Sequence, residues 1–149
     1  MILRISIVLR KIYKKHKSLI YNQFWVYINQ GVDYMILIGY KKCTTCKGIE
    51  KMLDEKNIKY TYREIDKDVP TKAELKKWHK ASGLDIKRFF NTSGLVYRDM
   101  NLKDKLGDMT DDEKYKLLST NGMLVKRPIL TRDDGSFVAV GPDAKKYLA

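Results

Sequence analysis

Two cysteines, Cys43 and Cys46, stand three residues apart in a chain of 149 residues that contains no others. They follow the apolar, β-favouring run Met35-Ile36-Leu37-Ile38 and the short basic turn Tyr40-Lys41-Lys42, and they precede apolar residues at helical spacing, Ile49, Met52 and Leu53. That order predicts a strand, a turn and a helix, with both thiols in the first helical turn. Amide N–H groups at a helix start have no partner within the helix, and the helix dipole adds partial positive charge there, so a thiolate is favoured over a thiol. Lys41, Lys42 and Lys47 are expected to push the same way. Cys43, nearest the turn, is therefore the expected nucleophile. Cys46, one turn on, is the expected resolving thiol, able to attack a mixed disulfide formed at Cys43.

Two other readings compete. A Cys-x-x-Cys pair can be half of a zinc site, but no further cysteine is present and the two histidines, His16 and His79, do not form an H-x3-5-H pair. Two buried structural cysteines would explain a lone Cys better than a pair at a basic helix start. Redox or nucleophilic chemistry is the preferred reading, without a metal.

The elements that must position this pair can be read along the chain. Asn57 is a plausible helix stop, and the alternation in Ile58-Lys59-Tyr60-Thr61-Tyr62-Arg63-Glu64-Ile65 predicts a second strand. Thr71-Lys72-Ala73-Glu74 is a capping box ahead of Leu75 and Trp78, with Gly83 as the stop. His79 lies beside Trp78 and reads as packing or surface. From Leu84 to Thr120 the signals are short and helical: a piece over Leu84 to Phe90, a second marked by Tyr97, Met100 and Leu102, and a third capped at Thr110 with Glu113. This is read as a helical insert that ends at the turn signal Asn121-Gly122. Met123 to Thr131 then reads as a strand preceded by or interrupted at Arg127-Pro128, since proline cannot donate to a sheet ladder. Asp134-Gly135 predicts a hairpin to Phe137-Val138-Ala139-Val140, and Gly141-Pro142-Asp143 opens a terminal helix. The expected order is β-α-β-α, helical insert, β-β-α.

Composition is that of an ordinary globular domain, 44% hydrophobic and 32% charged. Two cysteines at this spacing are too few for a secreted disulfide scaffold, so a reducing cytoplasm is the expected location. No apolar run approaches the roughly 20 residues that cross a bilayer. The net charge of +12 raises a nucleic-acid reading, but lysines in the body alternate with acids, as in Asp54-Glu55-Lys56, and no DNA-binding motif is recognisable. Direct nucleic-acid and membrane partners are therefore not expected. Residues 1–34 carry six Lys/Arg against one acid and supply +5 of that charge. Their interrupted apolar patches make a poor signal peptide; a basic amphipathic segment lying on a membrane is one reading. The preferred one is an extension that need not be translated in the cell, because codons for Gln30-Gly31-Val32 can spell a purine-rich ribosome-binding sequence just before Met35. The domain is then residues 35–149.

Cys43-Thr44-Thr45-Cys46, the Phe89-Phe90-Asn91-Thr92-Ser93-Gly94 segment, the run from Asn121 to Leu130 with its Arg127-Pro128-Ile129, and Val140-Gly141 together resemble the arsenate reductase/Spx family. The resemblance covers residues 35 to 149. It implies an α/β, thioredoxin-like fold with a mixed four-stranded sheet and an inserted helical subdomain. It also implies that Cys43 matches the catalytic cysteine, that Pro128 matches a cis-proline facing it, and that Arg127 matches an arginine that binds an oxyanion beside the thiol. A guanidinium suits that task because it holds an oxyanion in a bidentate way and lowers a thiol pKa; the plainer reading of Arg127 is a surface charge at a strand entrance. Two further arginines of the glutaredoxin-linked arsenate reductases fall at Asn91 and Gly141, where no positive charge is available, and those enzymes lack a counterpart of Cys46. The Spx-type regulators keep Cys-x-x-Cys as a redox switch and bind the carboxy-terminal domain of the RNA polymerase α subunit, but differ through the insert.

Two functions follow from the resemblance. One is a reductase-like thiol–disulfide protein with no bound cofactor, whose thiols are restored by glutathione, glutaredoxin or a thioredoxin system. The other is a redox-switched transcription regulator that binds the polymerase α subunit.

Overall fold

The computed structural model describes residues 34–149. The reading of the amino-terminal stretch as an extension concerns residues 1–34 and so lies, Tyr34 apart, outside the described residues.

Strand β1 (Met35–Gly39) leads through a turn to helix α1 (Thr44–Glu55), and β2 (Tyr60–Glu64) leads to α2 (Lys72–Ser82). A 3-10 helix (Ile86–Phe89) and three short helices, α3 (Leu95–Asp99), α4 (Leu102–Lys105) and α5 (Asp111–Leu118), form the insert. A second 3-10 helix (Gly122–Leu124) then precedes β3 (Ile129–Arg132), β4 (Val138–Val140) and α6 (Pro142–Leu148). The four strands lie in the order β2-β1-β3-β4. β1 is parallel to β2 and antiparallel to β3, which is antiparallel to β4. This is the mixed sheet and thioredoxin-like α/β architecture expected from the sequence.

Alternation along β1 divides the core between the two faces of the sheet. Met35 and Leu37 pack with Ile49 and Leu53 of α1, Leu130 of β3, and Ala144 and Leu148 of α6. Ile38 packs on the other face with Leu75 and Trp78 of α2, Phe89, Phe90 and Leu118. Leu37 and Ile38 are both fully buried, and each such side chain contributes on the order of 2 kcal/mol. The first strand and the helix that follows the Cys pair are thereby fixed in place.

The helix starts follow the sequence signals. Thr71 Oγ1 accepts from the Glu74 amide at 3.2 Å while Glu74 Oε2 accepts from the Thr71 amide at 2.8 Å, and the same reciprocal pair joins Thr110 and Glu113. Gly83 ends α2 in the left-handed region, at φ 64°. His79 packs: its Nδ1 lies 2.6 Å from the Tyr115 hydroxyl, tying α2 to α5 of the insert.

Three local expectations need correction and a fourth is decided between its alternatives. Ile58 is outside β2, because its amide closes the end of α1 on the Leu53 carbonyl at 3.0 Å. The piece over Leu84 to Phe90 narrows to the 3-10 helix, with Asp85 Oδ1 accepting from the Lys87 amide at 2.7 Å. The second insert helix splits into α3 and α4 at Asn101, whose φ is 51°. Of the two readings left open at Arg127-Pro128, the structure takes the strand preceded by it: β3 begins directly after Pro128, and ahead of it Val125 makes only an isolated bridge to Phe90. At Gly122, just ahead of this segment, a Cβ would come within 1.8 Å of the Ile65 carbonyl oxygen, so only glycine lets the backbone pass that close to the end of β2. The amides of Asn91 and Lys126 bond the carbonyls of Leu124 and Phe89 at 2.7 and 2.6 Å, so the entrance and exit of the insert are stitched together.

Candidate active site

Cys43 sits at the N-cap of α1, one residue ahead of the first turn in which it was expected, with φ −84° and ψ 119°. Its amide donates to the Tyr40 carbonyl at 2.9 Å and its carbonyl accepts from the Lys47 amide at 3.1 Å. The cap position matters, because the orphan amides of the next three residues converge where an N-cap side chain lies. In the dithiol form the Cys43 side chain makes no cap hydrogen bond, yet the sulfur stands where those amides favour its anion.

Burial pushes the Cys43 thiol up, but this is outweighed by the Cys46 amide, the Cys46 thiol, the Thr45 amide and the Arg127 guanidinium, and the net result is a pKa below the ordinary thiol value. Cys46 behaves oppositely. It is completely buried, and burial first, then its hydrogen bond to Cys43 and the Cys43 charge, push it up to about 12. The pair therefore consists of one half-buried sulfur disposed to be an anion and one enclosed sulfur that keeps its proton and offers it to the first.

The sequence expectation that three lysines would acidify the pair needs amendment. Lys41 Nζ is engaged 3.3 Å from Glu50 Oε1 and 3.6 Å from the centroid of the Tyr62 ring. Arg127 is a side-chain cation that acts on both sulfurs, lowering each.

Arg127 stands just before Pro128, after which β3 begins, and the Arg127–Pro128 peptide is cis. Its guanidinium carbon lies 5.1 Å from the centroid of the Tyr40 ring, and its Nη1 is buried without a hydrogen-bond partner. An unpartnered buried donor on a guanidinium is unusual, and here it belongs to the group whose charge reaches the thiols. The Pro128 carbonyl accepts from the Gly141 amide at 2.7 Å, so the end of β4 holds the segment that carries Arg127. Gly141 itself has φ 60°, a conformation that favours glycine. Asn91 directs its Nδ2 to the Met123 carbonyl at 3.3 Å. Neither position adds a cation.

A groove of about 520 Å³ opens beside the dipeptide between the cysteines, bordered by Thr44, Thr45, Gly48, Met52, Glu55 and Lys145. Among the described residues, no group of three or more His, Cys, Asp and Glu side chains gathers where it could hold a metal ion, and no helix is long and apolar enough to cross a membrane.

Sequence reasoning missed Tyr40, Tyr62 and Gly39. Alternation in β2 would have placed Tyr60 and Tyr62 on one face. Only the parallel register, which pairs Tyr62 with Leu37 and Gly39 with Glu64, shows that this is the α1 face.

Comparison with known proteins adds a family. The family model described as ArsC family matches residues 38–149. The uncharacterized protein YusI of Bacillus subtilis is 48% identical over 102 residues, which cover 68% of this chain and 85% of that one. A crystal structure from Bacteroides fragilis, described as that of an ArsC family related protein, is 46% identical with a TM-score of 0.71, covering 77% of this chain and 97% of the other. The regulatory protein MgsR of Bacillus subtilis is 26% identical over 104 residues, covering 70% of this chain and 81% of its own.

Proposed function

The chain belongs to the ArsC family, and from that premise we propose that it is a reductase-like thiol–disulfide redox protein working through Cys43 and Cys46. The observation that carries this reading is the opposed state of the two sulfurs, one exposed enough to be reached and lowered in pKa, the other enclosed and raised. A thiolate is the attacking species in disulfide exchange, and the thiol that is to wait should remain protonated.

The steps are as follows. The Cys43 thiolate attacks one sulfur of a substrate disulfide, forming a mixed disulfide and expelling the other sulfur as thiolate. Cys46, after losing its proton to solvent, attacks the Cys43 sulfur, so that a Cys43–Cys46 disulfide forms and the second substrate thiolate leaves. The substrate gains two electrons and the protein loses two. An external dithiol or two thiols, from glutathione, glutaredoxin or a thioredoxin system, then return them. Arg127 steadies the Cys43 anion or an anionic group on the substrate, and Pro128 holds Arg127 at the mouth of the site. Arsenate as substrate is not proposed, because one guanidinium would have to do alone what a set of cations does in an oxyanion site.

The similarity to MgsR favours a second reading: formation of the Cys43–Cys46 disulfide changes the start of α1 and with it the affinity for the RNA polymerase α subunit. One experiment separates the two. Purified protein is titrated against glutathione redox buffers, assayed for disulfide reduction with and without arsenate, and used to capture polymerase in both redox states. Turnover that is lost in Cys43→Ser supports the reductase. Capture of the α subunit by one redox form only, with no turnover, supports the regulator and removes the enzyme.

A further inference from the structure

The hydroxyl of Tyr62 is buried and has no hydrogen-bond partner. A lone buried donor is costly and asks for a reason. The reason lies over Gly39. The point where a Cβ of that residue would stand is 2.7 Å from Tyr62 Oη and 3.2 Å from Cys46 Sγ, so hydroxyl and thiol border the same spot, which only a glycine leaves open. β1 presents Leu37 and Gly39 to the α1 side, and β2, in parallel register, presents Tyr62 there. The ring is backed by the Lys41 ammonium, 3.6 Å from its centroid. A cation over a phenol ring withdraws electron density and strengthens its O–H as a donor.

Resting on the redox reading above, we propose that Tyr62 is the positioning donor for Cys46: its O–H hydrogen-bonds the Cys46 sulfur when that sulfur becomes an anion, and so governs the step in which Cys46 resolves the mixed disulfide. The need for such a donor follows from burial. Once Cys43 is tied up in a mixed disulfide it carries no charge, but the largest influence holding Cys46 protonated, its enclosure, remains. The Tyr40 amide and Arg127 also favour the Cys46 anion. Tyr62 is itself pushed up, by burial and by the charge of Cys46, and therefore keeps its own proton throughout. In the step, Cys46 releases its proton to solvent, its sulfur bonds to Cys43, and the departing thiolate takes the electron pair of the broken bond. Tyr62 transfers nothing.

The test uses the full chain and the chromogenic disulfide dithiobis(nitrobenzoate), which releases one coloured thiolate when Cys43 attacks and a second when Cys46 resolves. In Tyr62→Phe the second release is expected to slow about tenfold at neutral pH relative to the first, with its pH midpoint moved upward by about one unit. Tyr62→Leu gives the same comparison if the Phe protein does not fold, since the ratio of the two phases is internal to each sample. A second phase with wild-type rate and pH profile in the variant overturns the role of Tyr62 while leaving the redox pair intact. A wild-type protein that never makes the second release, and so matches Cys46→Ser, overturns the redox reading and this inference with it.

Discussion

Burial pushes both sulfurs of the Cys43–Cys46 pair up, yet they end on opposite sides of the ordinary thiol value. What separates them is three residues of chain. An N-cap side chain collects amides that α1 has no other use for, whereas a side chain in the third helical position is turned under the helix into the sheet. The order of the two thiols was legible in the sequence, because helical spacing at Ile49, Met52 and Leu53 puts Cys43 nearer the helix start; that Cys43 would be the cap and Cys46 the enclosed sulfur was not. Of the side-chain charges expected there, Lys41, two residues before Cys43, is held by Glu50 and the Tyr62 ring, whereas Arg127, which the family resemblance placed beside the thiol, acts on both sulfurs from 84 residues further on. Arg127→Met is therefore expected to raise the midpoint of Cys43 alkylation by iodoacetamide and to slow that reaction about threefold at neutral pH, with Arg127→Lys retaining most of the rate. Alkylation followed against pH measures this. An unmoved midpoint in Arg127→Met would assign the acidity to the cap amides alone.

Elements are held to one another by contacts of a different kind. Arg63, on β2, reaches across to α2 with Nη1 2.6 Å from Glu74 Oε1, and its Nε lies 2.8 Å from Asp68 Oδ2. Glu74 is also the capping residue of α2, so one carboxylate serves both the helix start and the link to the sheet. Burial pushes Glu74 up, but Arg63 and the Thr71 hydrogen bonds outweigh it, and its carboxyl lies below the usual value. A group whose pKa is lowered on folding contributes stability above its unfolded pKa, and that contribution is lost as pH falls through the folded value. Glu74→Gln should accordingly be less stable than the wild type at neutral pH, and the two should converge on acidification below the ordinary glutamate value of 4.5. Urea midpoints across that range test it, and a constant gap between the proteins would show that Glu74 acts by packing rather than by charge. The capping box at Thr71 and Glu74 announced this helix in the sequence, as the one at Thr110 announced α5. Gly122 shows where such reading stops. Asn121-Gly122 was read as a turn signal, and Asn121 Oδ1 does accept from the Met123 amide at 2.9 Å, but the glycine is required by its approach to Ile65, a residue 57 positions earlier in the chain. Contacts of that range have no local signature.

At the scale of the molecule, the site occupies the carboxyl end of β1, where α1, the segment entering β3 and the edge strand β2 come together. Everything the proposed chemistry uses lies between Gly39 and Pro128, and among the described residues a hydrophobic cluster lines each face of the sheet. Among the described residues the β1–β2 pairing opens with the Met35 amide donating to the Lys59 carbonyl at 3.0 Å. The family match, over residues 38–149, has nearly the same limits. A protein comprising residues 35–149 is therefore expected to unfold in one cooperative transition and to keep both the alkylation midpoint of Cys43 and the ratio of the two thiolate-release phases found in the full chain. Removing residues 1–34 also lowers the net charge from +12 to +7. Long-range charge can acidify a thiol, but at physiological ionic strength it is screened beyond about 8 Å, so measuring both proteins at low and at physiological salt isolates its effect. Agreement at physiological salt places the redox unit in residues 35–149. A truncated protein that fails to fold, or whose Cys43 midpoint moves by about one unit at both salt concentrations, would make the first 34 residues part of the domain.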